Sequence, residues 1–219
     1  VHRARPFARD ELGQVERSID EFTRAQEIAP QIARFHTALG DVCLSAGRDE
    51  CAAEQYAAAV ANQNLPDAAA KAVAQADLWR QRGRTDVAIG FYEQAVDLQP
   101  SEANQLMLAS AYQEQDRFAE AEALLGILRI ERPLSVEVLT MSAGMQAAQG
   151  RYDDAESLYR RALAIQDVTG QESAGTRLLL AQTLAAAGRL DESEAQIKRV
   201  LELQPDNALA YGQLGDVYN

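Results

Sequence analysis

The chain has 219 residues, 47% of them apolar and 25% charged, with aromatics at only 6%. That balance suits a folded, alanine-rich, all-α protein and excludes a disordered or β-rich one. Thirty-three acidic residues against 21 basic ones give a net charge of −12, so the surface would repel phosphate, which argues against a nucleic-acid partner.

No run of eighteen apolar residues occurs, so direct membrane insertion is not expected. The opening "VHRARPFARDELG" has neither an initiator methionine nor an apolar core. It reads as an internal stretch of a longer chain and not as a signal peptide. Only Lys71 and Lys198 are lysines against nineteen arginines, a weak pointer to a GC-rich bacterial genome. Bacterial cytoplasm and periplasm both stay open.

Along the chain, apolar-periodic segments alternate with turn signals, and five phrases align without gaps: "AGRDECAAEQYAAAV", "RGRTDVAIGFYEQAV", "QDRFAEAEALLGIL", "QGRYDDAESLYRRAL" and "AGRLDESEAQIKRVL". Residues 1–30 read as a partial repeat, because Pro6 would break a first helix. Full helix hairpins are expected at 33–66, 69–100, 102–133, 136–167 and 174–205, and a lone first helix at 208–219. Their starts are 36, 33, 34, 38 and 34 residues apart. The long spacings fall at the loops "NQNLPD" and "QDVTGQES", where insertion costs little.

The alignment sorts residues into columns. Gly40, Ala76, Ala109, Ala143, Ala181 and Gly215 are all small. Gly13, Gly47, Gly83, Asp116, Gly150 and Gly188 are placed to end the first helix in a left-handed turn. Ser18, Ala52, Ala88, Ala121, Ala155 and Ser193 would let two helices approach closely. Phe22, Tyr56, Tyr92, Leu125, Tyr159 and Ile197 would fill the space between hairpins. Pro30, Pro100, Pro133 and Pro205 close the second helix, with Asn64 and Asp167 in the same column.

These columns resemble the tetratricopeptide repeat, whose period is about 34 residues. The resemblance covers essentially the whole chain. It departs at the family's tryptophan column, which reads His36, Ala72, Gln105, Leu139, Arg177 and Tyr211 here, while Trp79 stands where tyrosine is usual. The resemblance implies an all-α, right-handed superhelical solenoid of antiparallel helix hairpins. It also implies a protein or peptide partner held on the concave side, which the first helices line.

Asp153 and Asp154 look at first like a carboxylate pair. Equivalent places hold Glu50, Asp86, Glu120, Asp191 and Glu192, so an acid recurs after each turn. There it stabilises the start of the second helix by about 0.3–1 kcal/mol. With two histidines and no phosphate loop, nucleophile elbow or Cys-x-x-Cys, no catalytic, cofactor or metal residues are assigned. Cys43 and Cys51 lie four residues before and after Gly47. They could meet across the hairpin, but such cysteines are most often small buried apolar side chains. A bridge there would argue for an oxidising compartment.

Once core columns are removed, the partner-facing candidates are Arg34, Thr37, Asp41, Val73, Asp77, Arg80, Leu106, Ser110, Gln113, Glu137, Thr140, Gly144, Ala147, Leu178, Gln182 and Ala185. The early part is charged, and Asp41 and Asp77 would suit a basic segment. The later part, with Ala148 and Ala186, is small and apolar and would suit an amphipathic one. The lysines, arginine and asparagines with which some members of the family clamp an acidic chaperone tail are missing. Alternative roles are an accessory arm of a larger glycosyl- or sulfotransferase, or a spacer in an envelope or polysaccharide-export assembly. An uncovered terminal helix "ALAYGQLGDVYN" also suggests end-to-end self-association.

Overall fold

A computed structural model describes residues 9–63, 65, 67–171 and 173–219. The expectations for Pro6 and Asn64 lie outside those residues. Among them the chain forms twelve helices and no strand: α1 (Arg9–Ile28), α2 (Ala33–Ser45), α3 (Asp49–Ala61), α4 (Ala68–Gln81), α5 (Thr85–Leu98), α6 (Glu102–Glu114), α7 (Phe118–Glu131), α8 (Val136–Ala148), α9 (Tyr152–Thr169), α10 (Ala174–Ala186), α11 (Leu190–Leu203) and α12 (Ala208–Val217). Gly13, expected at a turn, lies inside α1, because the helix already runs from Arg9 and no chain reversal occurs there. Two compact units, 1–104 and 105–219, are each described by themselves.

Every hairpin turns in the same way. Gly47, Gly83, Gly150 and Gly188 have φ of 73°, 75°, 75° and 77°, and Asp116 takes 55° in their place. Glycine reaches this left-handed region freely and aspartate tolerates it. The following amide then donates back across the turn, Arg48 N to Cys43 O at 2.8 Å and Arg189 N to Leu184 O at 2.8 Å, with Arg84, Arg117 and Arg151 doing the same. These bonds satisfy carbonyls that the helix end would leave unpaired. Acids follow at once, among them Asp49, Asp86, Glu120, Asp153 and Asp191, where they favour the positive helix end.

The arginine after each turn has a second role that the columns did not reveal. Arg48 pairs with Glu16, Arg84 with Asp49 at 3.0 Å, Arg151 with Glu122 at 2.9 Å and Arg189 with Glu156. Each acid lies on the preceding second helix, so within each unit these pairs tie one hairpin to the next.

In the first unit the small residues Ala52, Ala76 and Ala88 and the large ones Tyr56, Trp79 and Tyr92 are buried. Tyr56 meets Trp79 edge to face, with ring centroids 5.0 Å apart, a geometry that adds about 0.5–1.5 kcal/mol to simple burial. Cys43 and Cys51 are disulfide-bonded, with Cα atoms 5.8 Å apart. The reading of them as unbonded apolar side chains is therefore corrected, since the turn at Gly47 brings positions four before and four after it face to face.

In the second unit, Ala109, Ala121, Leu125, Leu128, Val138 and Met145 form one buried cluster. Leu139, Ala143, Ala155, Tyr159, Leu180 and Leu184 belong to the next. A third joins Ala174, Leu178 and Ala181 of α10 to Ile197, Val200 and Ala210. Helix α10 packs on α8, α9, α11 and α12.

Candidate functional site

The first-helix residues singled out above behave differently in the two units. In the first, Asp41 accepts the Tyr56 hydroxyl at 2.7 Å and a bidentate pair of bonds from Arg82, whose guanidinium also lies 4.7 Å over the Tyr56 ring. Asp77 accepts the Tyr92 hydroxyl. Burial, then the bond to Asp77, pushes the Tyr92 hydroxyl up to about 12. Asp41 therefore has its counter-charge within the unit, and Asp77 is engaged by Tyr92, so neither is a carboxylate left waiting for a basic partner.

Arg34 is exposed and lies 5.1 Å over the Phe35 ring. Thr37 donates to the Ala33 carbonyl of its own helix. Val73 and Arg80 are half-buried.

In the second unit, Leu106 packs against the core cluster of α6 to α8, while Ser110 and Gln113 are half-buried. Glu137 is exposed and accepts from Ser135, and Thr140 donates to the Val136 carbonyl. Gly144 and Ala147 line an open cleft of about 360 Å³ with Ala148, Tyr152, Tyr159, Leu179, Gln182, Thr183 and Ala186. Helices α8 and α10 form its walls and α9 its floor.

Leu178 does not belong to that cleft. It is 7% exposed and packs with Ile197, Val200 and Ala210, whereas its neighbour Leu179 is 43% exposed and forms the wall. Ala185 lines a second cleft of about 250 Å³ on the other side of α10, with Gln182, Leu190, Ser193, Gln213, Asp216 and Val217. The two clefts occupy equivalent places one repeat apart, and Gln182 borders both.

One column explains why the first cleft is open. Gly144 occupies the place of Asp41 and Asp77, and Tyr159 that of Tyr56 and Tyr92. In the first unit the aspartate fills the space above the tyrosine hydroxyl. Here a Cβ on Gly144 would meet only the Tyr159 hydroxyl, at 3.4 Å. Burial pushes the Tyr159 hydroxyl's pKa up, and a hydrogen bond with Thr183 partly offsets this. The cleft thus has small apolar walls, one buried phenol and no charge of its own. Ala148, Tyr152, Tyr159, Leu179, Thr183 and Ala186 line the cleft but were not on the candidate list, although the i, i+7 spacing of Leu179 and Ala186 on α10 was readable.

No helix among the described residues is long and apolar enough to cross a membrane. Sequence models of the tetratricopeptide repeat match residues 8–63, 50–103 and 106–168, and a second such model matches 146–214. No curated protein sequence matches the chain. Among solved structures, a thermophilic tetratricopeptide repeat protein of Thermus thermophilus superposes with a TM-score of 0.62 at 20% identity, over 85% of this chain and 98% of that one. BtubC from P. vanneervenii gives 0.58 at 21% identity, over 88% and 89%. YrrB, a tetratricopeptide repeat protein with an unusual peptide-binding site, gives 0.55 at 17% identity, over 87% and 96%.

Proposed function

Because this chain belongs to the tetratricopeptide repeat family, whose stacked hairpins serve generally as scaffolds for protein–protein interaction, we propose that it holds a protein segment in the cleft between α8 and α10. The observation that carries this reading is Gly144. The chain's own repeats close the equivalent space with Asp41 and Asp77, and here it stands open between Ala147, Ala148, Leu179 and Ala186.

Mostly apolar walls with a few polar groups at the edge favour a peptide that inserts an aliphatic side chain while its backbone bonds to Gln182. A peptide ligand is also what one structural relative, YrrB, is described as binding, though at that identity the likeness is one of fold alone. Binding would be presentation and capture, with no chemistry of the scaffold's own.

Gly144→Asp tests the proposal. The new carboxylate has the same tyrosine to pair with as its counterparts, and aspartate is no worse a helix former than glycine, so the variant should fold. Partner capture should fall sharply with unchanged circular dichroism. Undiminished capture by the folded variant would remove the cleft from the account.

A further inference from the structure

We propose that the outer face of α7 is a second docking surface and takes an acidic amphipathic helix of a partner protein. It is separate from the cleft above and does not rest on it.

This face is apolar where the other repeats are small or polar. Ile127 and Ile130 lie one helical turn apart on α7 and Leu134 follows in the next turn, and the three are 52%, 82% and 73% exposed. In the repeat alignment the places of Ile127 and Ile130 hold Ala58 and Ala61, Gln94 and Asp97, Arg161 and Ala164, and Arg199 and Glu202. All of these but the half-buried Ala58 are exposed as well. The two columns therefore face water by the geometry of the hairpin itself, in the middle of the array as much as near its ends. Large aliphatic side chains set there, side by side, mark a surface that another molecule covers.

Charge and size decide the occupant. Arg132 and Arg161 are exposed and form no salt bridge among the described residues. By contrast Arg117, Arg151, Arg160, Arg177, Arg189 and Arg199 of the same unit each pair with an acid. Arg161 donates from Nη2 to the Pro133 carbonyl at 3.5 Å, which brings its guanidinium to the turn that carries Leu134. Between Ile127 and Leu134 the sequence has Arg129 and Arg132 against one acid, Glu131. On a chain of net charge −12, a rim with more arginine than acid suits carboxylates on the partner.

The three side chains expose on the order of 400 Å² of apolar surface, about half of what each partner buries in a stable dimer. A second copy placed on this face about a two-fold axis would also set arginines against arginines. The backbone of α7 is bonded within its own helix and offers no edge to an extended strand. A partner must therefore satisfy its own backbone, as a helix does, and leucines spaced i, i+3 and i+7 on such a helix match the apolar row.

A fluorescein-labelled helical peptide of about 18 residues, with leucines along one face and glutamates flanking them, tests this by anisotropy with the intact protein. It should bind at least tenfold more tightly than its counterpart with lysines in place of the glutamates. Ile130→Asp should abolish binding, and Arg132→Glu combined with Arg161→Glu should reverse the preference in favour of the lysine peptide. All three side chains are exposed, and circular dichroism checks that each variant folds.

Equal affinity for the two peptides, no binding of either, or unchanged binding in Ile130→Asp would overturn the inference. So would loss of binding in Gly144→Asp, which would place the peptide in the α8–α10 cleft. A mass by light scattering that rises with concentration in the parent and not in Ile130→Asp would make the face a contact between copies. Capture on phosphatidylserine vesicles that Ile130→Asp abolishes would make it a lipid surface. Either result would overturn the assignment of an acidic helix.

Discussion

Replacing Gly40 by alanine looks harmless from the column alone, since Ala76, Ala109, Ala143 and Ala181 occupy equivalent places. Helix propensity alone would favour the change by about 1 kcal/mol. The packing says otherwise. A Cβ on Gly40 would lie 2.4 Å from Cε1 and 2.7 Å from Cδ1 of Tyr56, so the ring would have to retreat by about 1 Å to reach ordinary contact. It has nowhere to go, because Tyr56 is fully buried, braced by Trp79 and tied through its hydroxyl to Asp41. Overpacking costs about 1–3 kcal/mol, and with no room for the ring to move the upper part of that range, about 2–3 kcal/mol, applies, which outweighs the propensity gain and leaves a net loss of about 1–2 kcal/mol. Urea unfolding of Gly40→Ala should show a lower midpoint at unchanged slope. In a Tyr56→Leu background, which imitates the Ala109–Leu125 pairing of another repeat, the same change should cost markedly less. A Gly40→Ala protein as stable as the parent would refute this reasoning.

Reducing the Cys43–Cys51 bond should lower stability by about 2.5 kcal/mol for so short a loop, read as a shift in urea midpoint with and without a phosphine reductant, and no shift would count against a formed bond. Hydrogen bonds from Arg189, then from Arg160, hold the Glu156 carboxyl below its ordinary 4.5. Its contribution is therefore present above that value and lost as pH falls through the lowered one, and Glu156→Gln should flatten the acid limb of a pH–stability profile at a cost of about 1 kcal/mol near neutrality. Tyr92 works in the opposite direction: the unfolded chain ionises near 10 while the folded one holds its proton to about 12, so stability should fall across that interval, and Tyr92→Phe should remove this part of the fall.

The all-α fold and the repeat family were readable because each hairpin buries the same positions, so the packing rule is written five times over. Tyr56, Tyr92, Leu125, Tyr159 and Ile197 are buried, and so are Ala52, Ala88, Ala121, Ala155 and Ser193. The site was less readable. Leu178 and Leu179 are about 100° apart on a helix, and which one faces the core depends on Ile197, Val200 and Ala210 arriving from later helices. The engagement of Asp41 depends on Arg82, 41 residues away, a contact that a 34-residue period does not encode. The arginine after each turn was visible in the phrases, but a search for apolar and small columns passes over a charged one.

Hydrogen exchange of the intact protein, with and without a short extended peptide carrying a leucine, tests the central claim most directly. Binding should slow exchange of backbone amides in residues 144–148 and 179–186 and leave α3 and α5 of the first unit unchanged. Protection confined to the first unit, or to the outer faces of α9 and α11 with none at Gly144 or Gln182, would contradict the account.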